Sequence, residues 1–376
     1  MKTKLELLSP ARDMESVKAA IMYGADSLYL GGSQFGLRAN VGFDDETLSK
    51  AVQHAHAHGK KVYLTCNIIA DNSDIDNFPE YLKRVSALGV DAFIVSDLGL
   101  LELIKSNSNT VVHISTQAGV TNYATANMLY KLGAKRVILA RETSLEQIKR
   151  IRDETPPELE IETFVHGAMC MAFSGRCLIS SYLTQRNANR GECAQPCRWG
   201  YHLMEETRPD EFFPIYEDER GSYIFNSKDL CMVEHIGELV RAGVDSFKIE
   251  GRAKTAYYSA VVTNAYRAAI EAHLSGKPVP DWVSREVNCV SHRPYYTGFY
   301  FGGSHNNSQN YAESGYIRDC DFVGVVTGFE NGGVVIERRN RYTLEDELEI
   351  VIPGSPPEKF NVSKEYPQGY FIRKIK

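Results

Sequence analysis

The sequence predicts an α/β fold in which a TIM-type (β/α)8 barrel is followed by a small antiparallel β domain. The first observation is a recurring junction: an amphipathic helix pattern ends at a glycine and passes into a short apolar run, at Gly24, Gly89, Gly133 and Gly243. Glycine suits the left-handed position after a helix, and an uninterrupted apolar run is typical of a parallel strand covered on both faces. The second observation is that eight such strands can be placed, the number that closes a barrel.

The strands and helices are assigned from these patterns in chain order. The alternative, an open doubly wound sheet, usually carries a phosphate-binding glycine loop, and neither G-x-G-x-x-G nor G-x-x-x-x-G-K-S/T occurs. The last barrel helix begins after Thr255 as a cap and ends before Gly276, with Pro278 beyond. The predicted strands are 5–9, 26–31, 61–67, 91–96, 111–117, 135–141, 160–166 and 245–250.

A change in residue composition and pattern near residue 281 predicts a domain boundary. Residues 1–280 are assigned to the barrel, with a cysteine-rich insertion at 167–244 before the last strand, and residues 281–376 to the small β domain. The second segment is rich in aromatic residues, glycines and short alternating runs, and Asn331-Gly332 is a hairpin signal. We therefore expect antiparallel strands there.

Composition narrows the class of protein. A hydrophobic fraction of 43% and a charged fraction of 24% are typical of a globular protein, and no segment has the length of apolar sequence that a membrane span needs. The sequence starts without a secretory pattern, so we expect a cytoplasmic protein. The net charge of −6 argues against a protein that coats nucleic acid, but residues 168–200 contain four arginines and one acid.

Five of the eight cysteines fall within one stretch of the chain. Thiolate is a soft ligand that selects zinc, copper(I) or iron–sulfur clusters, so this excess of sulfur predicts a metal site rather than a disulfide framework. Zinc sites usually offer two closely spaced pairs, and the irregular spacing here favours iron–sulfur over zinc, with free thiols as a third interpretation. The five are Cys170, Cys177, Cys193, Cys197 and Cys231.

Charged residues and one histidine lie where the predicted strands end. In barrel enzymes the chemistry takes place at the carboxyl ends of the strands, and the cysteine-rich insertion leaves the barrel at the same rim. We therefore expect the metal to face the barrel mouth. Ion pairing between strands is the alternative for the charged residues, and a structural role is the alternative for the histidine. The residues are Arg141, His166, Lys248, Glu250 and Arg252.

The segment ETFVHGAMCMAFSGRCLIS at 162–180 resembles the hallmark of the collagenase-like peptidases, peptidase family U32. Further segments that resemble this family are LLSPARDMESVKAAIMYGADSLYLGG, NRGECAQPCRW, NSKDLC, FKIEGRAKTAYYSAVVTNAY and HRPYYTGFYFGG. The resemblance spans nearly the whole chain. Within the family the chain is most similar to the prephenate-dependent hydroxylases that make 5-hydroxyuridine at the tRNA wobble position.

This resemblance implies a 4Fe-4S cluster, prephenate or a related dicarboxylate as co-substrate, and tRNA as partner. It implies Cys170, Cys177, Cys193 and Cys231 as ligands, with Cys197 as the alternative for one of them. It also implies further strands after residue 376, so we expect a shortened β domain. The expected catalytic residues are His166, Arg176 and Glu250, and the expected substrate-binding residues are Arg141, Lys248, Arg252, Arg186, Arg190 and Arg198.

Two other functions remain open. A peptidase would need an activated nucleophile, and Cys170 or Cys177 with His166 as base would be the arrangement, although neither G-x-S-x-G nor H-E-x-x-H is present. The second alternative is a non-catalytic RNA-binding module in which the metal is purely structural. A closed, buried metal without a cavity would favour that module.

Overall fold

The computed structural model describes residues 5–36, 42–169, 179–186, 192–196, 216–218, 221–223, 228–302, 316–343 and 345–376. Its strands, in chain order, are β1 Glu6–Pro10, β2 Ser27–Gly31, β3 Lys61–Cys66, β4 Ala92–Val95, β5 Val111–Ile114, β6 Arg136–Ile138, β7 Glu160–Ala168, β8 Tyr216–Asp218, β9 Gly221–Tyr223, β10 Asp229–Cys231, β11 Ser246–Ile249, β12 Tyr295–Tyr296, β13 Cys320–Glu330, β14 Gly333–Arg338, β15 Leu348–Val351, β16 Glu358–Lys359 and β17 Phe371–Ile375.

The helices lie between the barrel strands as predicted. They are α1 Met14–Met22, α2 Asp45–Ala57, α3 Asn72–Ala87, α4 Leu98–Asn107, α5 Tyr123–Lys131, α6 Leu145–Asp153, α7 Ile179–Thr184, α8 Ile236–Ala242, α9 Ala256–Leu274 and α10 Asp281–Asn288. Thr255 caps α9, because its side chain accepts from the backbone N–H of Tyr258. Among the residues that the structure describes, none of these helices has the length and apolar character to cross a membrane.

The eight predicted strands form a closed parallel barrel. Strands β1 to β7 pair in sequence order, and β11 pairs with both β7 and β1, which closes the ring. The register at the closure aligns Ser246 with Glu6 on one side and with Glu162 on the other. Each predicted glycine junction is also confirmed: at Gly243, φ is +94° and an added Cβ would collide with the Arg152 side chain.

The lower half of the barrel interior is charged, which differs from the branched apolar layers usual in such barrels. Arg136 on β6 contacts carboxylates from two other strands: Glu162 at 2.7 Å, Glu160 at 2.6 Å, and Glu6 of β1. Burial raises the pKa of Glu6, but attraction to Arg136 and hydrogen bonds from three side chains outweigh burial and lower it to about 2. Arg136 therefore links three strands through ion pairs.

The C-terminal segment forms an antiparallel sheet in the order β14-β13-β17-β15-β16. Residues 331–332 connect β13 to β14, with φ of +52° at Asn331 and +78° at Gly332, so the predicted hairpin is confirmed. This sheet packs on the barrel through Phe371 and through Arg373, which is fully buried and pairs with Glu286 of α10 at 2.6 Å and with Glu349 at 2.8 Å. Cys289 and Cys320 form a disulfide between α10 and β13, which the sequence did not predict.

Tyr23 provides a test of how the β domain is attached. Its buried hydroxyl donates to the carbonyl of Val351 at 2.8 Å and accepts from the backbone N–H of Phe371 at 3.4 Å. We expect Tyr23→Phe to lower the free energy of unfolding by about 1–3 kcal/mol, because it leaves two buried backbone groups without that partner. Urea denaturation measures the change. Tyr370→Phe, at a half-buried neighbouring ring, is the control, and an equal loss there would contradict the assignment.

Candidate functional site

Three predicted cationic residues gather in the upper half of the barrel around two aromatic rings. The guanidinium carbon of Arg141 lies 3.8 Å from the ring centroid of Phe164, and Lys248 Nζ lies 5.5 Å from the same centroid. Lys248 Nζ also lies 4.4 Å from the ring centroid of Tyr29, which Arg252 approaches at 5.9 Å. The barrel therefore brings together side chains from the segment after β6, from β11 and from the segment after β11.

Each of these cations also has a polar partner. Arg141 pairs with Glu250 at 3.1 Å, and an Arg252 N–H donates to the hydroxyl of Thr65 at 2.6 Å. Lys248 is buried within β11 and pairs with Glu162 at 2.9 Å; burial lowers its pKa, and Glu162 opposes that change. Lys248 is thus inside the barrel, whereas Arg141 and Glu250 lie at the rim.

Two amide side chains at the same end of the barrel have unsatisfied oxygens. Asn67 follows β3, and its Nδ2 donates to the hydroxyl of Ser115 at 3.3 Å, while its buried Oδ1 has no partner in the described structure. The buried Oε1 of Gln117, which follows β5, has none either. Buried polar atoms are nearly always hydrogen-bonded, so such amides at a barrel mouth favour a polar ligand there.

His166 lies near the end of β7 inside a cage of tyrosines. Its Nδ1 is 3.4 Å from the hydroxyl of Tyr266, its Nε2 is 3.4 Å from the hydroxyl of Tyr295, and Tyr258 packs on the ring at 6.1 Å. The side chain is buried, and burial lowers its pKa to about 3, with smaller contributions from His292 and Lys254. His166 is therefore neutral near pH 7.

Cys231 lies directly opposite His166 in the antiparallel pairing of β10 with β7. The Tyr266 hydroxyl holds this corner together: it donates to the carbonyl of Val165 at 2.6 Å, accepts from the backbone N–H of Met232 at 2.9 Å, and lies 3.9 Å from Cys231 Sγ. Burial raises the pKa of the Cys231 thiol to about 11, which hydrogen bonds from Val233 and Tyr266 partly offset.

A cavity of about 350 Å³ opens beside Cys231. Its walls come from the end of β10 and the segment after it, from α10 and from β12, and the barrel-mouth cations Arg141, Lys248 and Arg252 are not among the lining residues. The lining residues are Cys231, Val233, Glu234, His235, Ser284, Val287, Asn288, Tyr295, Tyr296 and Thr297.

Cys193 and Arg186 are the other predicted site residues that the structure describes, and both are exposed. The segment around Cys193 is held to α7 because the Ala194 N–H donates to the hydroxyl of Ser180 at 3.0 Å. Within the described ranges, no three His, Cys, Asp or Glu side chains form a metal-binding group. The predicted residues Cys170, Cys177, Cys197, Arg176, Arg190 and Arg198 lie outside those ranges.

The tyrosines that surround His166 were not among the site residues predicted from the sequence. Tyr266 is an inward-facing residue of α9, and Tyr295 belongs to the two-residue strand β12. Their signal is a tyrosine-rich composition in otherwise apolar segments, AYYSAVVTNAY and HRPYYTG, since a buried tyrosine hydroxyl needs a polar partner. That signal does not identify the partner, because His166 is 100 residues away from Tyr266.

Known proteins resemble this chain across most of its length. The model of peptidase family U32 matches residues 12–310. The tRNA hydroxylation protein P of Escherichia coli strain K12 is 38% identical, over 93% of this chain and 86% of that protein, and the tRNA hydroxylation protein P1 of Bacillus subtilis strain 168 is 36% identical, over 93% and 84%. A 23S rRNA 5-hydroxycytidine synthase of Escherichia coli strain K12 is 38% identical, over 72% of this chain and 40% of that protein. The chain belongs to peptidase family U32.

Proposed function

We propose that this protein is an RNA hydroxylase that converts the wobble uridine of tRNA to 5-hydroxyuridine, using an iron–sulfur cluster and prephenate as the oxygen donor. The observation that carries the proposal is the similarity to tRNA hydroxylation proteins over 93% of the chain. The relative that is named a 23S rRNA 5-hydroxycytidine synthase supports RNA hydroxylation more broadly.

Two of the predicted cluster ligands are free thiols in the described structure. Cys231 lines a cavity and Cys193 is exposed, so both are accessible to a metal, and neither forms a disulfide. Soft thiolate donors favour iron–sulfur or zinc over hard cations. We assign Cys170, Cys177, Cys193 and Cys231 as the ligands, with Cys197 as the alternative. When bound, a 4Fe-4S cluster supplies one-electron transfer.

The barrel-mouth cations are assigned to the co-substrate. Carboxylates are held most strongly by charge-assisted hydrogen bonds, and Arg141 and Arg252 present guanidinium groups at one end of the barrel. Lys248, which lies inside the barrel and pairs with Glu162, adds a third positive charge beside the Tyr29 ring. A dicarboxylate such as prephenate suits this arrangement, and Glu250 would orient Arg141. Arg176 lies next to a proposed ligand, Cys177, and is assigned to the same anion.

The arginines of the insertion are assigned to the RNA backbone. Arg186 is exposed at the end of α7, and Arg190 and Arg198 follow in the same basic stretch. Phosphate contacts of this kind position an RNA without reading its sequence. Sequence selection then requires a separate base-contacting site.

The surroundings of His166 disfavour a peptidase. A general base works best with a pKa near the operating pH, whereas burial lowers the pKa of His166 to about 3. Both of its ring nitrogens lie 3.4 Å from tyrosine hydroxyls.

A non-catalytic RNA-binding module is disfavoured by the cavity beside Cys231 and by the polar barrel mouth.

Mass spectrometry of tRNA nucleosides tests the proposed function. We expect a strain that lacks this protein, and any paralogue of it, to lose 5-hydroxyuridine and the nucleosides derived from it, and we expect the intact gene to restore them. A strain carrying Arg252→Met should resemble the deletion strain, because the co-substrate loses one cation. Unchanged nucleosides in the deletion strain would refute tRNA hydroxylation.

A further inference from the structure

We infer that the cavity beside Cys231 is the pocket that takes up the target pyrimidine base of the RNA. This inference rests on the proposed function and names a subsite for it. Enzymes that modify a base take it out of its stack and hold it in a pocket, by stacking on aromatic rings and by hydrogen bonds to its Watson–Crick edge. The cavity volume of about 350 Å³ lies within the range of small-ligand sites.

Two tyrosine rings line the cavity, and only one of them stacks on another ring of the described structure. Tyr295 stacks on His292 with ring centroids 4.0 Å apart and an interplanar angle of 5°, and its hydroxyl donates to the carbonyl of Val287 at 2.7 Å. The half-buried ring of Tyr296, the next residue, stacks on no other ring among the residues that the structure describes. Pairing of β12 with β10 fixes the backbone of Tyr296 opposite Leu230. Tyr296 therefore offers the cavity a half-buried ring on a backbone that is paired with β10, and we assign this ring to the stack with the base.

Asn288, the last residue of α10, has a side-chain amide that can hydrogen-bond to the Watson–Crick edge of a pyrimidine. Its backbone carbonyl accepts from the N–H of Asp319 at 3.1 Å, whereas its side-chain amide makes no hydrogen bond within the described part of the chain. An amide has both a donor and an acceptor, so it matches the adjacent acceptor and donor of uracil or, after rotation, those of cytosine. The half-buried amide is therefore available to a base.

The charges of the cavity favour a neutral base over a phosphate or a dicarboxylate. Glu234 is exposed at the cavity and accepts from the hydroxyl of Ser284 at 2.6 Å, and His235 lies 3.5 Å from Glu238. A carboxylate in the cavity lining repels anions, so a neutral base suits the cavity better than a phosphate or a dicarboxylate does. Cys231 lines the same cavity, so a base held there would lie beside a proposed cluster ligand.

Photo-crosslinking tests the pocket without requiring catalysis. The full-length protein is irradiated with an anticodon stem–loop RNA that has 4-thiouridine at the wobble position, and the cross-linked peptide is identified by mass spectrometry. We expect cross-links within residues 295–297. Tyr296→Ala should reduce their yield about tenfold, the effect of losing one base–aromatic stack, while Tyr296→Phe keeps the ring and the yield. Total RNA affinity should change less, because phosphate contacts dominate it.

Two further variants keep the test decisive. Asn288→Leu removes the amide and should lower the cross-link yield several-fold with an unchanged melting temperature, even where Tyr296→Ala fails to fold. Tyr130→Ala, at a half-buried tyrosine of α5 outside the cavity, should leave the yield unchanged. Cross-links elsewhere in an RNA-hydroxylating protein would refute the pocket alone. Cross-links at 295–297 without any hydroxylated nucleoside in cells would refute the proposed function alone.

Discussion

Arg136→Met is expected to lower the free energy of unfolding by about 3–5 kcal/mol, since removing one partner of a buried ion pair leaves the other charge uncompensated. Arg136 is buried and contacts Glu6, Glu160 and Glu162, and Glu162 is fully buried. Methionine keeps an unbranched apolar stem in place of the arginine stem but carries no charge and cannot pair with a carboxylate. The effect should be large because no second cation contacts Glu6 in the described structure.

The pH dependence separates this effect from a simple packing defect. The pKa of Glu6 is lowered to about 2 in the folded protein, so its ionised form contributes stability that is present above about pH 4.5 and is lost as pH falls toward 2. Without Arg136, burial alone would raise that pKa, and acidification would then favour the folded variant. The difference in unfolding free energy between the two proteins should therefore shrink as pH falls from 7 to 3.

Urea denaturation at several pH values measures both effects. Arg241→Met is the matched control, because the Arg241 side chain is 70% exposed on α8 and its change should stay within about 0.5 kcal/mol. A pH-independent difference would show that lost packing, rather than the uncompensated carboxylates, explains the loss.

The sequence was sufficient to predict the barrel because its signals are local. Glycine at the end of a helix and a following apolar run are both features of adjacent residues, and each of the four junctions precedes a strand of the observed ring. The Asn331-Gly332 hairpin is local in the same sense. The strand bounds differ by only a few residues, as at β6, where three residues pair of the seven predicted.

The charged barrel interior was not predicted, although part of its signal is visible. In β7 the alternation of Glu160, Ile161, Glu162 and Thr163 puts two carboxylates on one face, and the usual interpretation of such a face is solvent exposure. In a closed barrel that face points inward, so the carboxylates need cations from other strands. Arg136 is such a cation, and its role depends on the closure that brings β1, β6 and β7 together.

The candidate site could be predicted by residue type but not by arrangement. The sequence placed His166 and Cys231 at one rim, and the structure pairs them across β7 and β10. It did not predict that Tyr266 joins them, nor that the cavity beside Cys231 is separate from the cations at the barrel mouth. These relations depend on contacts between distant segments, which no local pattern encodes.

Cys231→Ala is expected to remove most of the iron and sulfide from protein prepared without oxygen, because a 4Fe-4S cluster needs four protein ligands and alanine offers none. The fold should survive this change. The backbone at residue 231 is held by the pairing of β10 with β7 and by the hydrogen bond from the Met232 N–H to the Tyr266 hydroxyl. The side-chain contact that alanine removes is the 3.9 Å approach of the Tyr266 hydroxyl to Cys231 Sγ. Iron and sulfide analysis together with the visible absorption spectrum measures the loss.

Two matched variants show which cysteines hold the cluster. Cys66→Ala removes a free thiol that is buried in β3, where burial raises its pKa, and it should leave the iron content unchanged. Cys197→Ala should lose less iron than Cys231→Ala if Cys231 is the fourth ligand, and the reverse order would transfer that assignment to Cys197. Equal iron in all three variants and the parent protein would refute ligation by either cysteine. Zinc in place of iron in the parent protein would leave the thiolate site in place and remove the electron-transfer role from the proposed hydroxylation.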